Sequence, residues 1–318
     1  MKKITLGFIC IAFFAGFSFA QNAPQVHIAG WSRIGYEMDA MYWLNDQRTV
    51  LPSTSGWAWA RAVAVSSSDV FIAGLDGRDA VYWLNGRRTV LQKSSAWASA
   101  WAITVSGSDV LIAGKDGDDA VYWLNGRRTV LPRSHVRYTN AEARAIAIAG
   151  SDVYITGYDG DDAVYWLNGR RTVLPKSSGR AWARAIAIAG SDVYITGEDG
   201  TDAVYWLNGR RTVLPNSSGR ADARAIAVSS AGVCIAGTDD NSGGKFDNNV
   251  AVYWVNGRRA VLPRSSDNIA RAIAVSGTNI YVAGHDGDDA VYWLNGRQVA
   301  LPRALGSHAR ATAIVVIP

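Results

Sequence analysis

Residues 183–215 read ARAIAIAGSDVYITGEDGTDAVYWLNGRRTVLP, and nearly everything after residue 25 is a copy of that stretch. ARAIAIAG alternates Ala with larger side chains, the period-two pattern of a strand. DVYITG is a second run, rich in β-branched and aromatic residues. EDGTD carries Asp-Gly, a tight-turn signal. AVYWL reads as a third strand. Asn208-Gly209 then supplies a hairpin turn, because both residues tolerate positive φ. RRTVL is a fourth strand, ended by Pro215, which cannot donate to a ladder. One unit is therefore a small sheet of four antiparallel strands.

The third-strand tryptophans count the units: Trp43, Trp83, Trp123, Trp166, Trp206, Trp254 and Trp293, spaced 40, 40, 43, 40, 48 and 39 residues apart. Four strands in about 40 residues, repeated, predict β-propeller blades, and seven lies within the usual range. The first unit begins at VHIAG with no ARAIAV before it, and the chain ends on ARATAIVVIP, a first strand with nothing after it. The strand missing at the front is the strand left over at the back. The expectation is an all-β, seven-bladed propeller whose C-terminal strand completes the first blade and leaves no bare edge.

Residues 1–20 read as a secretory signal: Lys2 and Lys3, an apolar run, then Ser18-Phe19-Ala20. Residues 21–318 would form the propeller, exported and without a transmembrane segment. Removing the two lysines takes the formal charge from +5 to +3. The mature chain keeps one cysteine, Cys234, at a position filled elsewhere by Tyr or Phe. It reads as a buried apolar substitute, and no internal disulfide can form.

In a propeller the first strand lines the central channel. Second-to-third-strand turns and inter-blade loops share one face, the top, and the Asn-Gly turns lie on the bottom. Acidic turns such as 116–119, 159–162 and 286–289 fall on top, and Arg-Arg pairs such as Arg210 and Arg211 follow the bottom turns. The two insertions, 133–143 and 238–250, also map to the top. So do Trp57, Trp59, Trp97 and Trp182, read as inter-blade loop residues. Variable loops and aromatics on one face are the marks of a binding surface. His285 reads as a solvated turn variant.

Each first strand opens with an arginine: Arg61, Arg144, Arg184, Arg224, Arg271 and Arg310, with Trp101 in the third unit. Each third strand opens with an aspartate, except at Val250. Two readings stand side by side: repeated Arg–Asp ion pairs that tie the blades, or an arginine ring that captures an anion such as an acidic sugar.

There is no HExxH, CxxC, GxSxG or P-loop. The four histidines lack metal-ligand spacing, so no metal or other cofactor is expected, and no nucleic-acid partner. With DVYITG before AVYWLNG, the chain resembles secreted bacterial tandem-repeat propellers of the form DVYVAG…AxYWxNG. The resemblance spans the sequence from about Val26 and implies export and a propeller, but no activity. The architecture is similar to WD-repeat and kelch propellers without their signature residues, so no catalytic residue carries over. The expected function is a monomeric, non-enzymatic binding scaffold for a carbohydrate or protein. The alternatives are a glycan lyase or hydrolase at the channel mouth near Trp101 and Arg144, and a structural surface component.

Overall fold

The computed structural model describes residues 23–134, 140–177, 179–217, 219–240, 249–264 and 267–318. The expected signal, 1–20, lies outside them. They fold into seven four-stranded antiparallel sheets with no helix. In blade one the strand order is His308–Ile317, Gln25–Ile34, Glu37–Leu44 and Gln47–Val50. The C-terminal strand thus closes the ring, with Gln25 opposite Ile317 and Arg33 opposite His308. Blade two runs Ala58–Ser66, Asp69–Asp76, Asp79–Leu84 and Arg87–Val90, and blades three to seven repeat this order. Each innermost strand touches the next, and His308–Ile317 links blade seven to blade two.

The repeated tryptophan is the joint between blades. All seven are fully buried. Trp206, with Val204 and Ile195 of its own blade, packs on Ala163, Leu174 and Tyr165 of the preceding one. Its Nε1 donates to the carbonyl of Pro175, in the loop leaving that blade, at 2.8 Å. The same bond recurs around the ring, down to Trp43 with Pro302 across the closure. Truncating one such side chain to Ala would cost about 3–5 kcal/mol. Cys234 is fully buried against the next blade, in the apolar role expected of it.

The turns match their sequence. Asn208 and Gly209 have φ of 50° and 81°, and the other Asn-Gly turns share these values. The Asn208 side chain also holds the neighbouring turn, with Oδ1 accepting from Val193 N and Nδ2 donating to Asp192. A second device docks the inter-blade loop. Asp76 ends its second strand with its carboxylate buried, accepting from Ser53, Thr54 and Ser55 of the preceding loop. Burial alone would raise this carboxyl, but these hydrogen bonds outweigh it and hold Asp76, like Asp116, below the usual range.

The same carboxylate engages the Arg-Arg pairs that follow the bottom turns. The second arginine of each pair reaches back to this buried aspartate: Arg88 Nε to Asp76 at 2.6 Å, Arg171 to Asp159 at 2.8 Å, Arg211 to Asp199 at 2.6 Å. Only the first arginine of each pair, such as Arg87 or Arg210, is exposed. Of the insertions, Ala141, Glu142 and Ala143 belong to an innermost strand, and residues 135–139 and 241–248 lie outside the described residues.

Candidate ligand-binding mouth of the central channel

Every innermost strand carries a β-bulge near its top end. In blade two Ala60 pairs with Gly74 and Ala62 with Ala73, which leaves Arg61 unpaired between them. The glycine is what permits this: a Cβ on Gly74 would lie 1.9 Å from the carbonyl oxygen of Trp59. The equivalent glycines of the other blades show the same close approach. A bulge re-aims the side chain of its extra residue, here toward the channel. The bulged residues are Arg61, Trp101, Arg144, Arg184, Arg224, Arg271 and Thr312, and together they line a cavity of about 200 Å³.

The seventh member corrects the sequence reading. Arg310 is not the ring residue of blade one. There Gly30 pairs with Ala311 and Ala29 with Ala313, so Thr312 occupies the bulge. Arg310 sits two residues earlier, at the position of Trp59 in blade two and Trp182 in blade five. Trp59 and Trp182 are therefore strand residues and not loop residues. Trp57 and Trp97 do lie in inter-blade loops, immediately before their innermost strands.

Above the ring lies a second layer, built where the copies differ. Its inner-strand members are Arg310, Trp59, Ser99, Glu142, Trp182, Asp222 and Ile269. Facing them in register are Trp31, Leu75, Lys115, Tyr158, Glu198, Thr238 and His285. Two of the chain's three glutamates and one of its four histidines stand here. The sequence carried the signal: in AxAR and in the segment xDG, the x positions vary among otherwise near-identical copies.

The expected Arg–Asp pairs are not formed. Arg184 Nη2 lies 3.0 Å from Glu198 Oε1 and 3.9 Å from Asp222. Arg224 grips Asp222 at 2.6 Å, and Arg144 grips Glu142 at 2.7 Å, with Lys115 on the other Glu142 oxygen at 3.0 Å. The third-strand aspartates face outward. Asp202 pairs with Arg211, and Asp79 with Lys93. Asp202 stands two strands farther from the axis than Arg184, so its height on the disc does not bring it within reach.

Trp101 replaces an arginine and serves as a partner for two others. The guanidiniums of Arg61 and Arg144, from the flanking blades, lie 3.5 and 3.9 Å from its ring centroid. Tyr158 stacks on Trp182 at 5.1 Å and Trp31 on Trp59 at 6.1 Å. Trp57 meets Trp59 edge-on and is 44% exposed. Lys115 Nζ lies 5.0 Å from the Trp97 ring.

Charge in the mouth is unbalanced. Arg61, Arg144, Arg184, Arg224, Arg271 and Lys115 share three carboxylates, Glu142, Glu198 and Asp222, and Arg310 lies in the field of Asp288, Asp267 and Asp289 without an ion pair among the described residues. Burial, then Arg144 and Arg271, push the Arg61 pKa down to about 9 against the opposing pull of Glu142. Burial, then Arg224 and Arg310, bring Arg271 to about 9 as well. Burial of Asp222 would raise its carboxyl; Arg224, Arg184 and the Thr238 N–H overcome this and lower it. His285 is buried rather than solvated, which corrects the earlier expectation. Burial and the charges of Arg271, Arg310 and Arg224 drop its pKa to about 2, so the imidazole is neutral.

Among the described residues no group of His, Cys, Asp or Glu could hold a metal ion, and no helix is long and apolar enough to cross a membrane. The class defined so far is a seven-bladed propeller with a cationic, asymmetric channel mouth. No protein-family model and no curated protein matches the chain. Among solved structures, it is similar to a candidate 6-phosphogluconolactonase from Bacteroides fragilis: TM-score 0.58, 12% identity, covering 94% of this chain and 99% of that one. It is also similar to the extracellular domain of a candidate one-component system from B. thetaiotaomicron: TM-score 0.50, 9% identity, covering 81% of this chain and 37% of that one. At such identities the likeness shows the fold alone.

Proposed function

We propose that the chain is an exported, non-enzymatic propeller that binds an acidic glycan in the mouth of its channel. The observation that carries this is the excess of half-buried cationic side chains over carboxylates around one cavity. Partly desolvated charge without a partner carries a cost, and a ring that served only the scaffold would be supplied with a carboxylate for each arginine. An anionic ligand supplies what is missing. The tryptophans beside the cations, Trp31, Trp57, Trp59 and Trp182, offer apolar faces for sugar rings. Export rests on the signal read in residues 1–20 and is supported by the resemblance of the repeat to secreted bacterial propellers of the form DVYVAG…AxYWxNG.

A lyase or hydrolase at the same mouth would need free acid and base groups. Glu142, Glu198 and Asp222 are each engaged by Arg or Lys, which suits them to positioning arginines. A glycan array probed with the mature chain at low and high salt tests the reading. Binding confined to acidic glycans and weakened by salt is expected. Binding of neutral glycans only, or of no glycan, would contradict it.

A further inference from the structure

The cations of the mouth are not equivalent. Arg144, Arg184 and Arg224 each hold a carboxylate. Arg61 and Arg271 hold none among the described residues, and the Nε of each, like that of Arg184, is buried without a hydrogen-bond partner. These two come from blades two and seven, and blade one stands between them. Its ring residue, Thr312, is the shortest of the seven. Its Oγ1 bonds the carbonyl oxygens of Ala29 and Ala60, at 3.0 and 2.8 Å, and is held against the joint of blades one and two. The ring therefore has a notch at Thr312, flanked by two arginines that lack anions. Arg310 adds a third cation one layer up, with no ion pair among the described residues; its Nη1 donates to the Ala309 carbonyl.

The same sector carries the largest aromatic group of the mouth. Trp31 faces Arg310 in register, and Trp59 precedes Arg61 by two residues. The two indoles stack, and Arg61 lies 4.7 Å from the Trp59 centroid. Trp57 extends the group into solvent.

We propose that the Thr312 notch is the primary subsite, taking the acid group of a uronic or sulfated sugar between Arg61 and Arg271 while the sugar ring lies against the Trp31–Trp59–Trp57 group. This rests on the reading of the mouth as an anion site and says where in the mouth specificity resides. A carboxylate or sulfate accepts paired N–H bonds from guanidinium groups, and the aromatic wall discriminates a sugar acid from a bare ion.

The test is calorimetric titration of the mature chain with trigalacturonate, a sulfated trisaccharide, neutral galactotriose and inorganic sulfate. The proteins are wild type, Arg61→Gln, Arg271→Gln, Arg144→Gln and Thr312→Glu, each checked for a cooperative melt. Thr312→Glu places a carboxylate in the notch itself. Expected are binding of an acidic trisaccharide and at least about tenfold weaker binding in Arg61→Gln and Arg271→Gln. Thr312→Glu should lose it, Arg144→Gln should weaken it less than Arg61→Gln or Arg271→Gln does, and galactotriose should not bind. Of the two acidic sugars, the tighter binder identifies the acid group. Binding by wild type that Arg144→Gln abolishes while Arg61→Gln and Arg271→Gln keep would overturn the notch and leave the mouth reading standing. Sulfate binding as tightly as either trisaccharide would overturn the sugar assignment. No binding of any acidic ligand by wild type would overturn both. Should Arg61→Gln or Arg271→Gln fail to fold, Thr312→Glu and the Lys variants at the same positions decide.

Discussion

Arg184 and Glu198 meet across the two inner strands of blade five, with Nη2 3.0 Å from Oε1 and the glutamate side chain only 8% exposed. Their positions belong to different parts of the repeat. Arg184 is the ring residue common to most blades, and Glu198 occupies a slot that holds Trp, Leu, Lys, Tyr, Thr or His in the others. A shared scaffold thus presents the arginines, and blade-specific residues decide which of them are neutralised.

Arg184→Ala and Glu198→Gln should each lower stability by about 1–3 kcal/mol, between the values for exposed and buried pairs. The double variant should be less than additive. Asp202→Ala, which removes an outer and half-exposed partner of Arg211, should cost less than about 1 kcal/mol. Denaturant midpoints measure all four. Equal losses for Asp202→Ala and Glu198→Gln would contradict the pairing.

Arg61→Gln and Arg271→Gln should behave in the opposite way. Neither guanidinium has an ion-pair partner among the described residues; Glu142 and Asp222 act on them only from a distance, and each raises the cost of its neighbours' charges. Replacement by a neutral side chain should leave the melting temperature unchanged or higher. A fall as large as that of Arg184→Ala would mean that these arginines stabilise the scaffold.

Two pH windows should be separable. His285 has a folded pKa of about 2 against an ordinary 6.5, so below 6.5 the unfolded chain takes up a proton that the folded chain refuses. Stability should fall as pH drops from 6.5, by up to about 1.4 kcal/mol per unit from this group. His285→Gln should flatten that limb. Asp76 and Asp116 act in the lower window: their carboxyls are depressed when folded, so their contribution is present above the ordinary value of 3.8 and lost as pH falls below it. Asp76→Asn should change only this second limb. A His285→Gln curve parallel to wild type between pH 6.5 and 4.5 would rule out the first assignment.

Removing residues 309–318 takes Ala309, Ala311 and Ile314 from the core shared with blade seven and bares the edge of Gln25–Ile34. The truncated chain should lose its cooperative thermal transition near the wild-type temperature. An unchanged melt, followed by circular dichroism, would contradict closure by the C-terminal strand.

The ring was legible because its marks are local and repeated: Trp in the third strand, Asn-Gly turns, and a first strand displaced to the C-terminus. The mouth was less so. ARATAI offers two Ala-x-Ala registers, and sequence alone favours the arginine. The bulge opposite Gly30 selects Thr312, a decision made by the approach of two backbones. The partner of Arg184 was misplaced because Asp202 matches it in height on the disc but lies two strands outward. The sequence reads His285 as a solvated turn variant and gives Glu142 and Glu198 no role because each is unlike the other copies, and only the register shows that these exceptions gather in one place.

The most direct measurement is a crystal structure of residues 21–318 soaked with a uronic-acid trisaccharide. The account predicts an acid group above Thr312 within hydrogen-bond reach of Arg61 and Arg271, with a sugar ring against Trp31, Trp57 or Trp59. A trisaccharide bound on the Asn-Gly turn face, or an empty mouth at saturating ligand, would contradict it.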